Sequence, residues 1–187
     1  MMPESLALRP EIASNNTFSP VLNMNANPSN IAISDFNEAC VPQLAGLLYE
    51  IEASGAFESK DTLLALQVIK EKMANVGDYH IKIAGSEGII FGFIIYSKAA
   101  LSDSFYDLYW MAVRPLCQGR GIGKMLLSTM EADIRAKGGK SVILDTSSAE
   151  EYEAARHLYE KTGYKLILKV DNFYSEDEHK LMYRKDL

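Results

Sequence analysis

The sequence predicts a mixed α/β sheet flanked by helices, and two patterns in the chain say so. Two helical periods are followed by three strand-like runs in succession, which reads as an antiparallel meander. The second half then alternates helix, strand, helix, strand, strand, which implies parallel neighbours joined by right-handed crossovers. At 187 residues the chain fits one core, with residues 31–187 read as a single domain behind a poorly ordered leader over residues 1–30.

That leader holds four of the six prolines, six asparagines and three charged residues, and shows no sustained period. One short edge strand is expected within it, at Val21 to Met24. From Asp35, residues Ala39, Leu44, Leu47, Leu48 and Ile51 recur at helical spacing until Gly55. A second helix is expected over Ser59 to Asn75, with Leu63, Leu66, Ile69 and Met73 on one stripe. Strands follow at Tyr79 to Ala84 and Ile89 to Ser97, joined by a Gly85-Ser86-Glu87-Gly88 hairpin turn, and at Phe105 to Arg114 before Pro115. Gly121 to Lys137 is helical, with Gly138-Gly139 as its stop. Ser141 to Thr146 is a short strand, and Ala149 to Thr162 a helix capped by Ser147 or Ser148. The last strands, Tyr164 to Val170 and Lys180 to Arg184, flank the acidic Ser175-Glu176-Asp177-Glu178 stretch.

Composition excludes several classes. With 48% hydrophobic and 24% charged residues the chain is neither disordered nor collagenous, and its net charge of −6 argues against nucleic acid as a partner. Two cysteines, Cys40 and Cys117, show no scaffold or zinc spacing, so a reducing, cytoplasmic setting is expected. The longest apolar run, Gly88 to Tyr96, is half the roughly 20 residues a membrane span needs. The three histidines show no metal spacing, and no metal is expected.

Chemistry concentrates at Val113-Arg114-Pro115-Leu116-Cys117-Gln118-Gly119-Arg120-Gly121-Ile122-Gly123-Lys124, where a strand enters a glycine-rich turn and then a helix. Glycines at alternate positions leave backbone N–H groups uncovered at a helix N-terminus, which favours an anion such as pyrophosphate. Arg120 and Lys124 add cations. The triphosphate loop G-x-x-x-x-G-K-[ST] fails by one residue of spacing, and the glycines run G-x-G-x-G rather than G-x-G-x-x-G, so nucleotide hydrolysis and dinucleotide binding fit poorly.

Gln118-x-x-Gly121-x-Gly123 after Tyr109-Trp110-Met111-Ala112-Val113 resembles the acyl-CoA signature of the GCN5-related N-acetyltransferases. Ala155-Arg156-His157-Leu158-Tyr159-Glu160-Lys161-Thr162-Gly163-Tyr164 is similar to a second signature of that family. The resemblance implies the acyl-CoA N-acyltransferase fold, a mostly antiparallel sheet with a central splayed parallel pair. It also implies acetyl-CoA as cosubstrate and transfer of acetyl to a primary amine, on a small molecule, a lysine or a protein N-terminus, by direct attack in a ternary complex. Tyr159 would then protonate the departing thiolate, with its alternative a plain core aromatic. The backbone from Met111 to Val113 would hold the pantetheine arm and thioester, and Gln118, Gly119, Arg120, Gly121, Ile122, Gly123 and Lys124 the pyrophosphate.

Two positions depart from the family. Tyr109 stands where histone-modifying relatives place a glutamate base, which leaves Asp107, two residues away on the same face, as the proton acceptor or as a solvated strand-end carboxylate. Tyr152 stands where many relatives carry a CoA-contacting asparagine, and is retained as a cofactor contact. Cys117 precedes the cradle, and an acyl-enzyme on it is disfavoured. Dimers are common among relatives. A non-catalytic module that binds CoA or an amine on the same fold remains the rival reading.

Overall fold

The computed structural model describes residues 30–187. The leader and its edge strand at Val21 to Met24 lie outside the described residues, except for Asn30. Seven strands form one sheet in the order β1-β2-β3-β4-β5-β7-β6. They are β1 (Ala32–Asp35), β2 (Tyr79–Ser86), β3 (Ile89–Lys98), β4 (Phe105–Val113), β5 (Ser141–Ser147), β6 (Lys165–Ser175) and β7 (Glu178–Asp186). The helices are α1 (Val41–Ala53), α2 (Ser59–Met73), α3 (Ile122–Ala136) and α4 (Glu153–Lys161).

The sheet separates two cores. Leu44, Leu47 and Leu48 of α1 and Ala65 and Ile69 of α2 pack on Ile81, Ile83, Phe93 and Ile95. On the other face Ile122, Leu126, Met130 and Ile134 of α3, with Tyr159 of α4, pack on Ile94, Tyr96, Leu108 and Val142. Because β3 is covered on both sides, it reads as an unbroken apolar run instead of alternating. Each such aliphatic side chain contributes about 1.5–3 kcal/mol on burial.

All neighbouring strands are antiparallel except β4 and β5. The alternation of the second half therefore yields one parallel pair, with α3 as its crossover. β6 runs in the same direction as β5, but β7 lies between them. A second difference is β1, of which the sequence assigns Ala32–Ser34 to no element and expects Asp35 to open a helix; α1 itself starts only at Val41. A third lies before α4: the N-cap is neither serine, because a single turn of 3-10 helix at Glu150–Tyr152 opens on Ala149 and α4 begins at Glu153 after Tyr152, both without a side-chain cap bond. Ser147 Oγ instead accepts the Ala149 N–H at 3.0 Å. Finally, β6 and β7 extend until only Glu176 and Asp177 remain between them, so the acidic stretch is a tight hairpin.

Candidate active site

Two features of β4 open the sheet at its centre. In the pairing with β3, Ile95 lies opposite Trp110 and Tyr96 opposite Leu108, so Tyr109 is an extra, bulged residue. The bulge shifts the alternation. Tyr106 and Leu108 enter the α3 core and so do Met111 and Val113, whereas Trp110 and Ala112 pack on the α1 side. Tyr109 itself is left exposed, with its ring 5.9 Å from that of Trp110 and 5.8 Å from that of Tyr79.

Just before the bulge the parallel pairing with β5 stops, Leu108 opposite Leu144 being its last register pair. Beyond it β4 runs on to Val113 and β5 to Ser147 without pairing to each other. Alternate residues of Tyr109–Val113 therefore aim main-chain N–H and C=O groups into an open seam. The splay that the resemblance implied is thus present.

Past the seam the chain turns through Pro115–Cys117 and enters α3. Gly119 and Gly121 have φ of +73° and +81°, left-handed values that side-chain-bearing residues rarely adopt. The first main-chain donors after the turn to find backbone acceptors are Gln118 N–H, on Pro115 O, and then Met125 N–H, on Gly121 O. Among the described residues the N–H groups from Gly119 to Lys124 have no backbone partner. A Cβ on Gly119 or Gly121 would meet no atom within 4 Å, so their outer faces are open. Gln118 Nε2 donates to Val113 O at 3.3 Å and ties the turn to the end of β4. Arg114, with Nη1 2.8 Å from Glu50 of α1 and Nη2 on Ile90 O, anchors it from the other side.

Seam and turn line one cavity of about 660 Å³, within the range that holds small ligands. Of the residues expected to bind or react, Met111, Ala112, Val113, Gln118, Gly119, Gly121, Ile122, Gly123, Lys124, Tyr152 and Tyr159 line it together. Arg120 and Asp107 are not among the lining residues. Tyr159 is 7% exposed, with its ring against Tyr164 and Tyr183. Burial is the one influence on its phenol, which it raises well above the usual tyrosine range; no side chain bonds or charges it.

Asp107 is held above the ordinary carboxylate range by burial and then by the charge of Asp145. Asp145 does line the cavity, one residue past the end of the β4–β5 pairing, with Lys180 Nζ 2.6 Å from its carboxylate. The sequence reading gave Asp145 no role, since the register that brings it beside Asp107 is not a local property. It also missed Phe57, Trp110 and Tyr174, which line the cavity together with Tyr109 and Glu178; the acidic stretch that holds Glu178 reads in the sequence only as favouring a cationic substrate.

Asp107 carries a pH-dependent prediction. A carboxyl whose pKa is higher in the fold than in the unfolded chain adds stability below the unfolded value and loses it as the pH rises through the folded value. Asp107→Asn is therefore expected to melt at a higher temperature than the parent at pH 7. Melting curves across pH should show that gain shrinking toward 3.8, the ordinary aspartate value.

Among the described residues no cluster of three metal-ligating side chains occurs, and no helix is long and apolar enough to cross a membrane. A family model described as the acetyltransferase (GNAT) domain matches residues 77–166. The chain is similar to the solved structure of a GNAT-family protein from Desulfovibrio desulfuricans, at 27% identity and a TM-score of 0.74, covering 83% of this chain and 98% of that one. An aminoglycoside 6′-N-acetyltransferase solved with coenzyme A is similar in fold at 20% identity and a TM-score of 0.67, over 83% of this chain and 96% of its own. So is the ribosomal-protein-S18-alanine N-acetyltransferase from Escherichia coli, at 20% identity and 0.65, over 83% and 93%. No protein of curated function matches. The matched segment runs from β2 into β6 and carries the bulged strand, the glycine turn and Tyr159; over that segment the chain carries a GNAT acetyltransferase domain.

Proposed function

We propose that residues 31–187 act as one domain that moves acetyl from acetyl-CoA to a primary amine by direct attack while both are bound. The observation that carries this reading is the convergence, in one cavity, of the open β4–β5 seam, the unpaired amides of Gly119–Lys124 and the buried phenol of Tyr159. Acetyl-CoA supplies an acetyl group activated as its thioester. The amides, with Lys124 beside them, hold the pyrophosphate at the positive end of α3. Arg120, outside the cavity lining, adds positive charge near the turn. The main chain of Met111–Val113 takes the pantetheine arm as though it were the missing strand, with Tyr152 as a further contact.

An alkylamine is neutral in only about one molecule in a few thousand at pH 7, so it must lose a proton before attack. Asp145 takes that proton at the cavity wall, and Asp107 acts through it. The N–C bond forms as the C–S bond breaks. Tyr159 gives its proton to the departing sulfur, and the second proton that the nitrogen loses as the amide forms returns to the Tyr159 phenolate through water. Burial keeps the Tyr159 phenol protonated, as a donor must be. Cys117 belongs to the α3 core and also lines the cavity, in the turn that precedes the unpaired amides; direct attack leaves its thiol without a role. Free cysteines at both positions fit the reducing cytoplasm.

Release of free thiol from acetyl-CoA with a panel of amines tests the reading. Turnover with at least one amine is expected, and tight CoA binding without turnover on any would favour the binding module.

A further inference from the structure

The acid wall of the cavity holds more negative charge than transfer to a simple amine uses. Glu58 and Asp61 open α2, and Glu178 opens β7, yet all three line the same cavity. Their convergence appears at Tyr152, which burial and then the charges of Asp61, Glu58 and Glu178 push up to about 12. Tyr174, on the same cavity, is raised mainly by burial, with Lys180 opposing and the charges of Asp145, Asp61 and Glu178 adding to it.

One cation of the chain, Lys60, also lines the cavity and faces all three carboxylates, and the N-terminus of α2 favours Glu58 and Asp61. Lys60 lies 2.8 Å from Glu58, but both side chains are more than six-tenths exposed, so the pair is weak and an incoming ammonium can compete for the site. Glu178 accepts the hydroxyls of Ser147 at 2.6 Å and Ser175 at 3.2 Å, which fix its orientation and leave its charge. Asp61 accepts the Glu58 N–H at 3.0 Å, again a neutral donor. The same cavity holds an independent sign that it is built for a ligand. Tyr159 is more than nine-tenths buried, and no side chain among the described residues bonds its hydroxyl. The rings of Tyr152 and Tyr174 supply faces on which an ammonium is attracted.

We propose that the acceptor carries a second positive charge, held by Asp61 and Glu178 between Tyr152 and Tyr174 while its other amine faces the thioester. This rests on the N-acetyltransferase reading and names its substrate class, a small di- or polycationic amine. The second charge also helps the chemistry, because a nearby ammonium lowers the pKa of the reacting one and enlarges its neutral fraction.

The experiment compares α,ω-alkyldiamines with alkylmonoamines of equal chain length, reading thiol release from acetyl-CoA. The expected result is a kcat/KM at least about tenfold higher for the best diamine, carried by KM, with the preference eroding as salt is raised. Glu178→Gln, which keeps the shape that the two serine hydroxyls bind, should cut the diamine-to-monoamine ratio about tenfold. Asp61 belongs to the cap of α2, so Asp61→Asn is read only alongside a melting curve, whereas the wild-type ratio and its salt dependence require no variant. Equal kcat/KM for the two series would overturn the second-charge subsite and leave the acetyltransferase reading intact. No thiol release with any amine would overturn both.

Discussion

Tyr159→Phe is expected to lower kcat for thiol release by about 10²-fold or more, the scale of a lost general acid, while CoA affinity stays within a factor of two or so. The substitution removes one oxygen and keeps the ring. Contacts with Tyr164 and Tyr183 survive it, and no side-chain hydrogen bond is lost. The melting temperature should therefore change little, since the hydroxyl faces the cavity and no protein partner is left unpaired by its removal. Because burial raises the phenol above the ordinary tyrosine value, it stays protonated between about pH 6 and 9. The rate loss should be the same across that range. A loss confined to the alkaline side would mean that Tyr159 titrates, and an unchanged kcat would remove it from the mechanism.

Gly121→Val should weaken CoA binding by at least about tenfold, and the comparison that isolates the cause is Gly138→Val. Gly121 caps the start of α3 at φ +81°, and Gly138 follows its end at +80°; a Cβ on either meets nothing within 4 Å. Both variants thus carry similar backbone strain, of order 1–2 kcal/mol and more for a branched residue. Only Gly121 lines the cavity. If its left-handed turn aims the amides, affinity measured by titration calorimetry falls for Gly121→Val and not for Gly138→Val, although both melt lower. Equal loss of affinity in the two would attribute the effect to stability alone.

What was legible in the sequence followed from local chemistry. The four helices carry their own periods, and the Gly119-x-Gly121-x-Gly123 turn after an apolar strand announces an anion cradle before any partner is known. What escaped depended on register. The bulge at Tyr109 arises from how β4 matches β3, and no composition marks an extra residue inside FYDLYWMAV. The bulged Tyr109 lies at the cavity wall with its ring near those of Trp110 and Tyr79. Asp145 went unnoticed because its place beside Asp107 is fixed by the last rungs of a parallel pair formed across α3. Likewise, the union of Asp61 with Glu178 joins residues more than a hundred positions apart, through the insertion of β7 between β5 and β6. β1, four residues long, is too short to show a period and exists only as an addition to the edge of β2.

The grip on the coenzyme's phosphates is open to direct observation by nuclear magnetic resonance, following the backbone amides of the 15N-labelled protein as CoA is added. Large shifts at Gly119 through Lys124, absent when pantetheine replaces CoA, are the predicted result. Resonances of that turn that stay in place while others report saturation with CoA would contradict the assignment.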